Sequence, residues 1–174
     1  MGKKKEKMYK VGDWIVHRRY GVGKITKLEK KPLGGDPINC YRVKTKNSTY
    51  WFPSDQDENP RIRPVARPSI IDNIIEILQK DPKTLETDNK KWKKRINKVQ
   101  SDGELIAIAK FIRDLYAKQA LKKLTQTEEA AMNRYMTRLL REWSAITGES
   151  IEEIEPEIEK YLQMQLERAE SLAA

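Results

Sequence analysis

One cysteine, Cys40, and one histidine, His17, are all that this 174-residue chain has of the two side chains that most often bind metals or attack substrates. A single cysteine excludes an intrachain disulfide and a multi-cysteine metal site, and it fits a reducing, cytoplasmic compartment. The histidine stands beside Arg18 and Arg19 with no acid or cysteine at an informative spacing, so the sequence offers no catalytic triad and no ligand set. Long apolar runs are missing too, which excludes a membrane span, and no signal peptide is recognisable. Glycine is scarce, with eight residues; Gly21-Val22-Gly23 resembles a fragment of a phosphate loop but lacks the Gly-Lys-Ser/Thr that would hold phosphate and Mg²⁺. The acid-rich IEEIEPEIE has neither the glycine nor the spacing of a calcium loop and reads as a solvated helix face. There is no internal repeat. The expectation is a protein without catalysis, cofactor or membrane partner.

What the chain has in quantity is charge. Asp, Glu, Lys and Arg make up 35% of it with a net charge of +9, an excess that calls for an anionic partner, nucleic acid before lipid. The excess is uneven. Residues 1–66 carry 16 Lys and Arg against 7 acids, residues 67–124 carry 14 against 8, and residues 125–174 reverse the balance with 5 against 11. A basic body with an acidic end argues for one or two directed contacts rather than a uniform polyanion coat.

The texture of the chain changes twice. Residues 1–7 (MGKKKEK) have no apolar pattern and read as a disordered basic arm. From Met8, short β-branched and aromatic runs alternate with glycine, proline and asparagine: VGDWIVH, YGVGKITKLE, INCYRVKT, STYWFP and RIRPV, about five strands. Gly12-Asp13 opens the first with a tight turn, Gly21 and Gly23 mark a sharp bend in the second, the loop at 31–37 is the longest, and Asn47 can take positive φ in a hairpin connection. Alternation places Trp14 and Val16 on the core face. A unit of this size, residues 8–66, is Tudor-like or SH3-like in its proportions, and such folds usually bind a protein or peptide.

From Arg67 to the end the period is helical. Ser69 is placed to cap a helix carrying Ile70, Ile71, Ile74, Ile75, Ile77 and Leu78. Asp81-Pro82 stops it, and Thr87 or Asp88 caps the next. Ser101 with Glu104, Thr125 with Glu128 and Ser150 with Glu153 each fit a capping box, Gly148 fits a C-terminal cap, and Pro156 predicts a break or kink in the last helix. The fold class expected is therefore α+β in two segregated domains: a five-stranded Tudor-like or SH3-like β-barrel at 8–66, then a compact bundle of about five helices at 67–174.

Within the bundle one stretch stands out. In NKKWKKRINKVQ, Lys90, Lys91, Lys93, Lys94, Arg95 and Lys98 surround Trp92, and no acid intervenes between Asp88 and Asp102. On a helix Trp92, Ile96 and Val99 share a stripe. Periodicity alone favours a buried seam under a solvated cationic face. The second reading has the cations neutralise phosphates while the indole stacks on or wedges against bases, and both stay open at this point. In the first domain Tyr50-Trp51-Phe52 must send at least one ring away from a single core face, which makes Trp51 or Tyr50 an interface candidate unless the helical domain covers it; an aromatic cage built from Trp14, Tyr41, Tyr50, Trp51 and Phe52 is the other use of such rings.

With those residues in view, YKVGDWIVHRRYGVGKI at Tyr9 to Ile25 resembles the start of the CarD/CdnL family of bacterial transcription regulators, a module shared with the transcription-repair coupling factor. Arg67 to Lys80, the Trp-centred basic helix and RDLY at Arg113 to Tyr116 resemble that family's helical domain. The resemblance implies that the Tudor-like domain docks on the RNA polymerase β subunit and that the helical domain meets promoter DNA at the upstream edge of the melted region. There Trp92 would enter the minor groove and slow collapse of the bubble, with Lys94 and Arg95 on the phosphate backbone. Lys31 falls near a basic family position on the polymerase side, and Trp51 falls where some relatives have Arg, a departure from the family pattern.

The candidate DNA-binding set is then Trp92, Lys90, Lys91, Lys93, Lys94, Arg95 and Lys98, and the candidate polymerase-binding set is Lys31, Trp51 and Tyr50. The mechanism implied is a wedge with two anchors, in which polymerase binding raises the local concentration of the helical domain and a ligand that prefers open DNA shifts the population towards it. No helix carries the Arg, Asn or Gln pattern that favours major-groove base readout. A monomer is expected. Two other classes stand beside this one: a protein-binding adaptor whose lysines only confer solubility, and nonspecific nucleic-acid binding through charge alone.

Overall fold

The computed structural model describes residues 8–55, 59–82 and 89–173. The basic arm at 1–7 and the caps expected at Thr87 or Asp88 lie outside them. The chain divides into two compact units, Met1–Val65 and Ala66–Ala174.

The first unit is a five-stranded antiparallel sheet built from β1 (Trp14–His17), β2 (Gly21–Lys31), β3 (Ile38–Lys44), β4 (Thr49–Pro53) and β5 (Ile62–Pro64), in the order β4-β3-β2-β1-β5. Its core is Tyr9, Ile15, Ile25, Tyr41, Val43, Phe52 and Ile62, with Tyr50 packed against it. The phase of β1 is opposite to that expected: Ile15 is fully buried, whereas Trp14 is 39% exposed on the other face, beside the Lys24 ammonium. In a strand of period two only one of two neighbours can face the core, and here Ile15 rather than Trp14 fills it.

Two local expectations are revised in the same way. Gly12 and Gly21 do adopt positive φ, but Gly23 sits in regular register opposite Ile15, and a Cβ there would lie 2.7 Å from a methyl of Val43. Gly23 provides room, and the irregularity of β2 falls between Ile25 and Lys27. Among the described residues no non-glycine has positive φ, Asn47 included. The β3–β4 turn is closed by Thr45, whose hydroxyl accepts from the Ser48 amide at 2.9 Å and donates to the Ser48 carbonyl at 3.0 Å.

The second unit holds α1 (Ile70–Gln79), α2 (Asn89–Asp102), α3 (Leu105–Leu121), α4 (Gln126–Thr147) and α5 (Ile151–Ala173). α3 is central: Leu105, Ile108, Ala109, Phe111, Ile112 and Leu115 are buried with Ile74 and Leu78 of α1, Tyr135, Leu139 and Trp143 of α4, and Ile154, Ile158 and Leu162 of α5. Thr125 and Glu128 form the expected reciprocal capping box, as do Ser150 and Glu153, and Gly148 closes α4 in the left-handed conformation at φ 79°.

Three helix ends differ from expectation. Ser69 holds the N-cap position without a side-chain hydrogen bond, because the first amides of α1 bond to the carbonyls of Arg67 and Pro68. Ser101 lies inside the last turn of α2, and Glu104 is the residue that precedes α3. Pro156 does not break α5. It lies on an exposed position in the second turn, and the buried row Ile154, Ile158 and Leu162 holds the helix across the missing amide.

Candidate functional site

α2 has one face against the bundle and the rest in water. Trp92, Ile96 and Val99 are buried, and Lys90, Lys91, Lys93, Lys94 and Lys98 are exposed around them. The seam and the cationic face thus coexist on one helix, as its three- and four-residue spacing dictates.

The exposed indole expected for a wedge is not what this arrangement presents. The Trp92 side chain is sealed, with 3% of the residue accessible, and its ring meets Phe111 edge-on at 5.7 Å. Two cations lie against it, the Arg95 guanidinium at 5.5 Å and the Lys118 ammonium at 4.8 Å. Both add cation–π attraction to the area that the ring buries. The indole N–H is buried and finds no hydrogen-bond partner among the described residues.

Arg95 is correspondingly not a free phosphate ligand. Its guanidinium pairs with Asp114 and lies 5.3 Å from the Phe111 ring as well. Asp114 is fully buried and also accepts from Arg113 Nε at 2.9 Å. Lys118 pairs with Glu128, whose carboxyl also accepts the Thr125 amide at 3.0 Å. Burial pushes the Glu128 carboxyl up, but Lys118 and Thr125 outweigh it and hold the group below the ordinary carboxylate value. The backbone of α2 is tied down as well, since the buried Tyr135 hydroxyl donates to the Ile96 carbonyl at 3.0 Å.

The sequence reading missed this second layer of Phe111, Asp114, Lys118 and Glu128. A signal existed in Asp114, a charged residue in the middle of the central helix α3. Its partner Arg95 is remote in sequence and had already been assigned to DNA. Among the described residues Lys93, Lys94 and Lys98 enter no ion pair, and they form the outward charge of α2.

On the sheet, Lys31 and Trp51 are brought together and Tyr50 is not. The Lys31 ammonium lies 4.5 Å from the Trp51 ring centre, and the Trp51 indole donates to Glu29 at 2.6 Å. That bond, with Lys27 and Lys31 assisting and burial opposing, lowers the Glu29 carboxyl. Tyr50 points to the opposite face, stacked on Tyr20 at 5.0 Å and tilted against His17 at 5.0 Å, with its buried hydroxyl unpartnered among the described residues. Burial raises its phenol. The rings proposed for a cage are therefore dispersed: Tyr41 and Phe52 in the core, Trp51 and Trp14 outside it.

Among the described residues no group of three His, Cys, Asp or Glu could hold a metal ion, and no helix is long and apolar enough to cross a membrane.

Residues 9–66 match the CarD-like/TRCF RID domain, and residues 73–159 match the CarD C-terminal domain. This chain belongs to the CarD-like family. The first match is to the RNA-polymerase-interacting domain that CarD-like proteins share with the coupling factor. The chain is also 28% identical over 148 residues to a Bacillus subtilis (strain 168) protein described as "Putative transcription factor YdeB", an alignment that covers 81% of this chain and 94% of that one. Membership of the CarD-like family assigns the chain to transcription regulation.

Proposed function

We propose that this CarD-like chain docks on the RNA polymerase β subunit through its sheet, with Lys31 and Trp51 at the contact, and that the exposed lysines of α2 hold promoter DNA by its phosphates beside the melted region. The result is a longer-lived open complex, without sequence-specific base contacts. One observation carries the DNA half of this reading: Lys93, Lys94 and Lys98 project from a helix whose opposite side is locked by Trp92, so their positions are fixed relative to the bundle. Tethering through polymerase lets modest phosphate affinity act at high local concentration.

In this reading Trp92 supports the cationic face from beneath. Insertion between bases would require the ring to leave its slot against Phe111, Arg95 and Lys118.

The test is open-complex lifetime with purified polymerase and a promoter fragment. Lys93→Ala, Lys94→Ala and Lys98→Ala together should shorten the lifetime that the protein confers and leave its binding to polymerase unchanged, while Trp51→Ala with Lys31→Ala should weaken polymerase binding itself. A triple variant as effective as wild type removes α2 from the DNA contact and favours the adaptor reading.

A further inference from the structure

Tyr20, at the tip of the β1–β2 hairpin, has no part in the contacts proposed above. Its ring is 38% exposed and stacks on the half-buried Tyr50 with centres 5.0 Å apart and planes 24° apart. His17 closes the group at 4.7 Å from Tyr20 and 5.0 Å from Tyr50. His17 is itself fixed, because its Nδ1 accepts the amides of Arg19 at 3.0 Å and Tyr20 at 3.3 Å. Tyr20 and Tyr50 thus form a stacked pair with His17 tilted against both, Tyr50 half-buried and Tyr20 exposed.

Two arginines stand at the exposed side. Arg19 and Arg61 are exposed, the Arg19 guanidinium lies 5.7 Å from the Tyr20 ring, and the Arg18 amide donates to the Arg61 carbonyl at 2.8 Å, which ties the β5 side to the hairpin tip. The charges that act on His17 among the described residues are Arg61 and Arg19. Asp13, the acid that follows Gly12 ahead of the hairpin, is turned to the Lys10 amide at 3.0 Å.

An aromatic face flanked by two guanidinium groups repels a methylammonium ligand, which disfavours the cage chemistry such rings often serve. It suits a partner that is flat and anionic at once. A base presents a π-face to the ring while its phosphates meet the arginines, and only an unpaired base can reach a ring at a convex tip. We propose that the β1–β2 hairpin tip is a stacking platform for single-stranded nucleic acid, with an unpaired base on Tyr20 and the flanking phosphates on Arg19 and Arg61.

The experiment uses the full chain and fluorescence anisotropy with a labelled oligothymidylate and a blunt duplex of equal length. Tyr20→Leu should weaken single-strand binding at least about fivefold while Tyr20→Phe keeps it, since stacking needs the ring and not the hydroxyl. Arg19→Ala with Arg61→Ala should flatten the dependence of single-strand affinity on salt. Repeating Tyr20→Leu in the Lys93, Lys94 and Lys98 alanine background should give the same loss, which keeps this site distinct from α2. Equal affinity of wild type and Tyr20→Leu for the single strand overturns the proposal, as does an equal loss on single strand and duplex. Competition by polyglutamate as effective as that by the oligonucleotide also overturns it and assigns the corner to an acidic protein.

Discussion

Lys118 reaches from α3 to place its ammonium 4.8 Å from the centre of the Trp92 ring on α2. Arg95 approaches the same ring from its own helix, and Phe111 lies edge-on to it, so the indole is enclosed by two cations and an aromatic side chain. Truncating such a ring removes contacts that the surroundings only partly recover. Trp92→Ala should cost about 3–5 kcal/mol of stability. Trp92→Phe should cost distinctly less, because a ring remains in the slot and the buried N–H without a described partner is gone. Urea denaturation of the full chain checks both. A Trp92→Ala variant within about 0.5 kcal/mol of wild type would mean a solvent-facing indole.

Asp114 underlies the same helix through Arg95 and Arg113. It is fully buried, and removing it leaves the nearly buried Arg113 without that carboxylate. Asp114→Ala should therefore destabilise by about 3–5 kcal/mol, the cost of breaking a buried pair rather than a surface one. The shift of the denaturation midpoint at constant slope is the measurement. On the proposed contact between α2 and DNA, Asp114→Asn should also weaken DNA binding more than any single exposed lysine on α2 does, because Arg95 loses an anchor in the same step.

Much of the fold was readable because periodicity reports burial directly. The stripe Trp92, Ile96 and Val99 was identified as a seam, and its burial follows from that spacing. What misled the reading of the site was the density of lysine around Trp92, which suggested exposure for a residue that its own spacing placed inside. Charge composition cannot separate a cation that faces water from one turned inward, and Arg95 is of the second kind because Asp114 awaits it 19 residues later. Phase was equally opaque in β1, where Trp14 and Ile15 are both good strand residues and only the partner strands decide which is enclosed. Glu128 was recognised as half of a capping box, but its link to Lys118 joins two helices and has no local signature.

Gly23 tests the claim that close approach, rather than backbone freedom, requires glycine in β2. Its φ is unexceptional, yet an added Cβ would lie 2.7 Å from Val43 Cγ1, 3.1 Å from Thr45 Cγ2 and 3.2 Å from the Lys44 carbonyl. Gly23→Ala should cost about 1–3 kcal/mol through overpacking. Val43→Ala on its own should destabilise through lost burial, but in the Gly23→Ala background its cost should shrink or reverse, a non-additivity that a double-mutant cycle measures directly. Simple additivity would place the strain elsewhere.

His17 supplies a pH dependence whose sign follows from its geometry. Burial, Arg61 and Arg19 all disfavour the imidazolium, so in the folded chain the ring titrates below its ordinary value of 6.5. Protonation of Nδ1 would also cancel its acceptance of the Arg19 and Tyr20 amides. The folded state therefore binds this proton less readily than the unfolded chain. The stabilisation is fully present above pH 6.5 and declines as the pH falls from there through the folded value. Tyr20 and Tyr50 pack against the same ring. Denaturation midpoints measured on either side of pH 6.5 should show wild type losing stability on acidification, with a smaller loss in His17→Asn, whose side-chain carbonyl can still accept a turn amide but does not titrate. The ring proton signals of His17 followed by NMR provide the direct check. An inflection at or above 6.5 would mean that the imidazolium is accommodated and that the hairpin tip does not depend on a neutral acceptor.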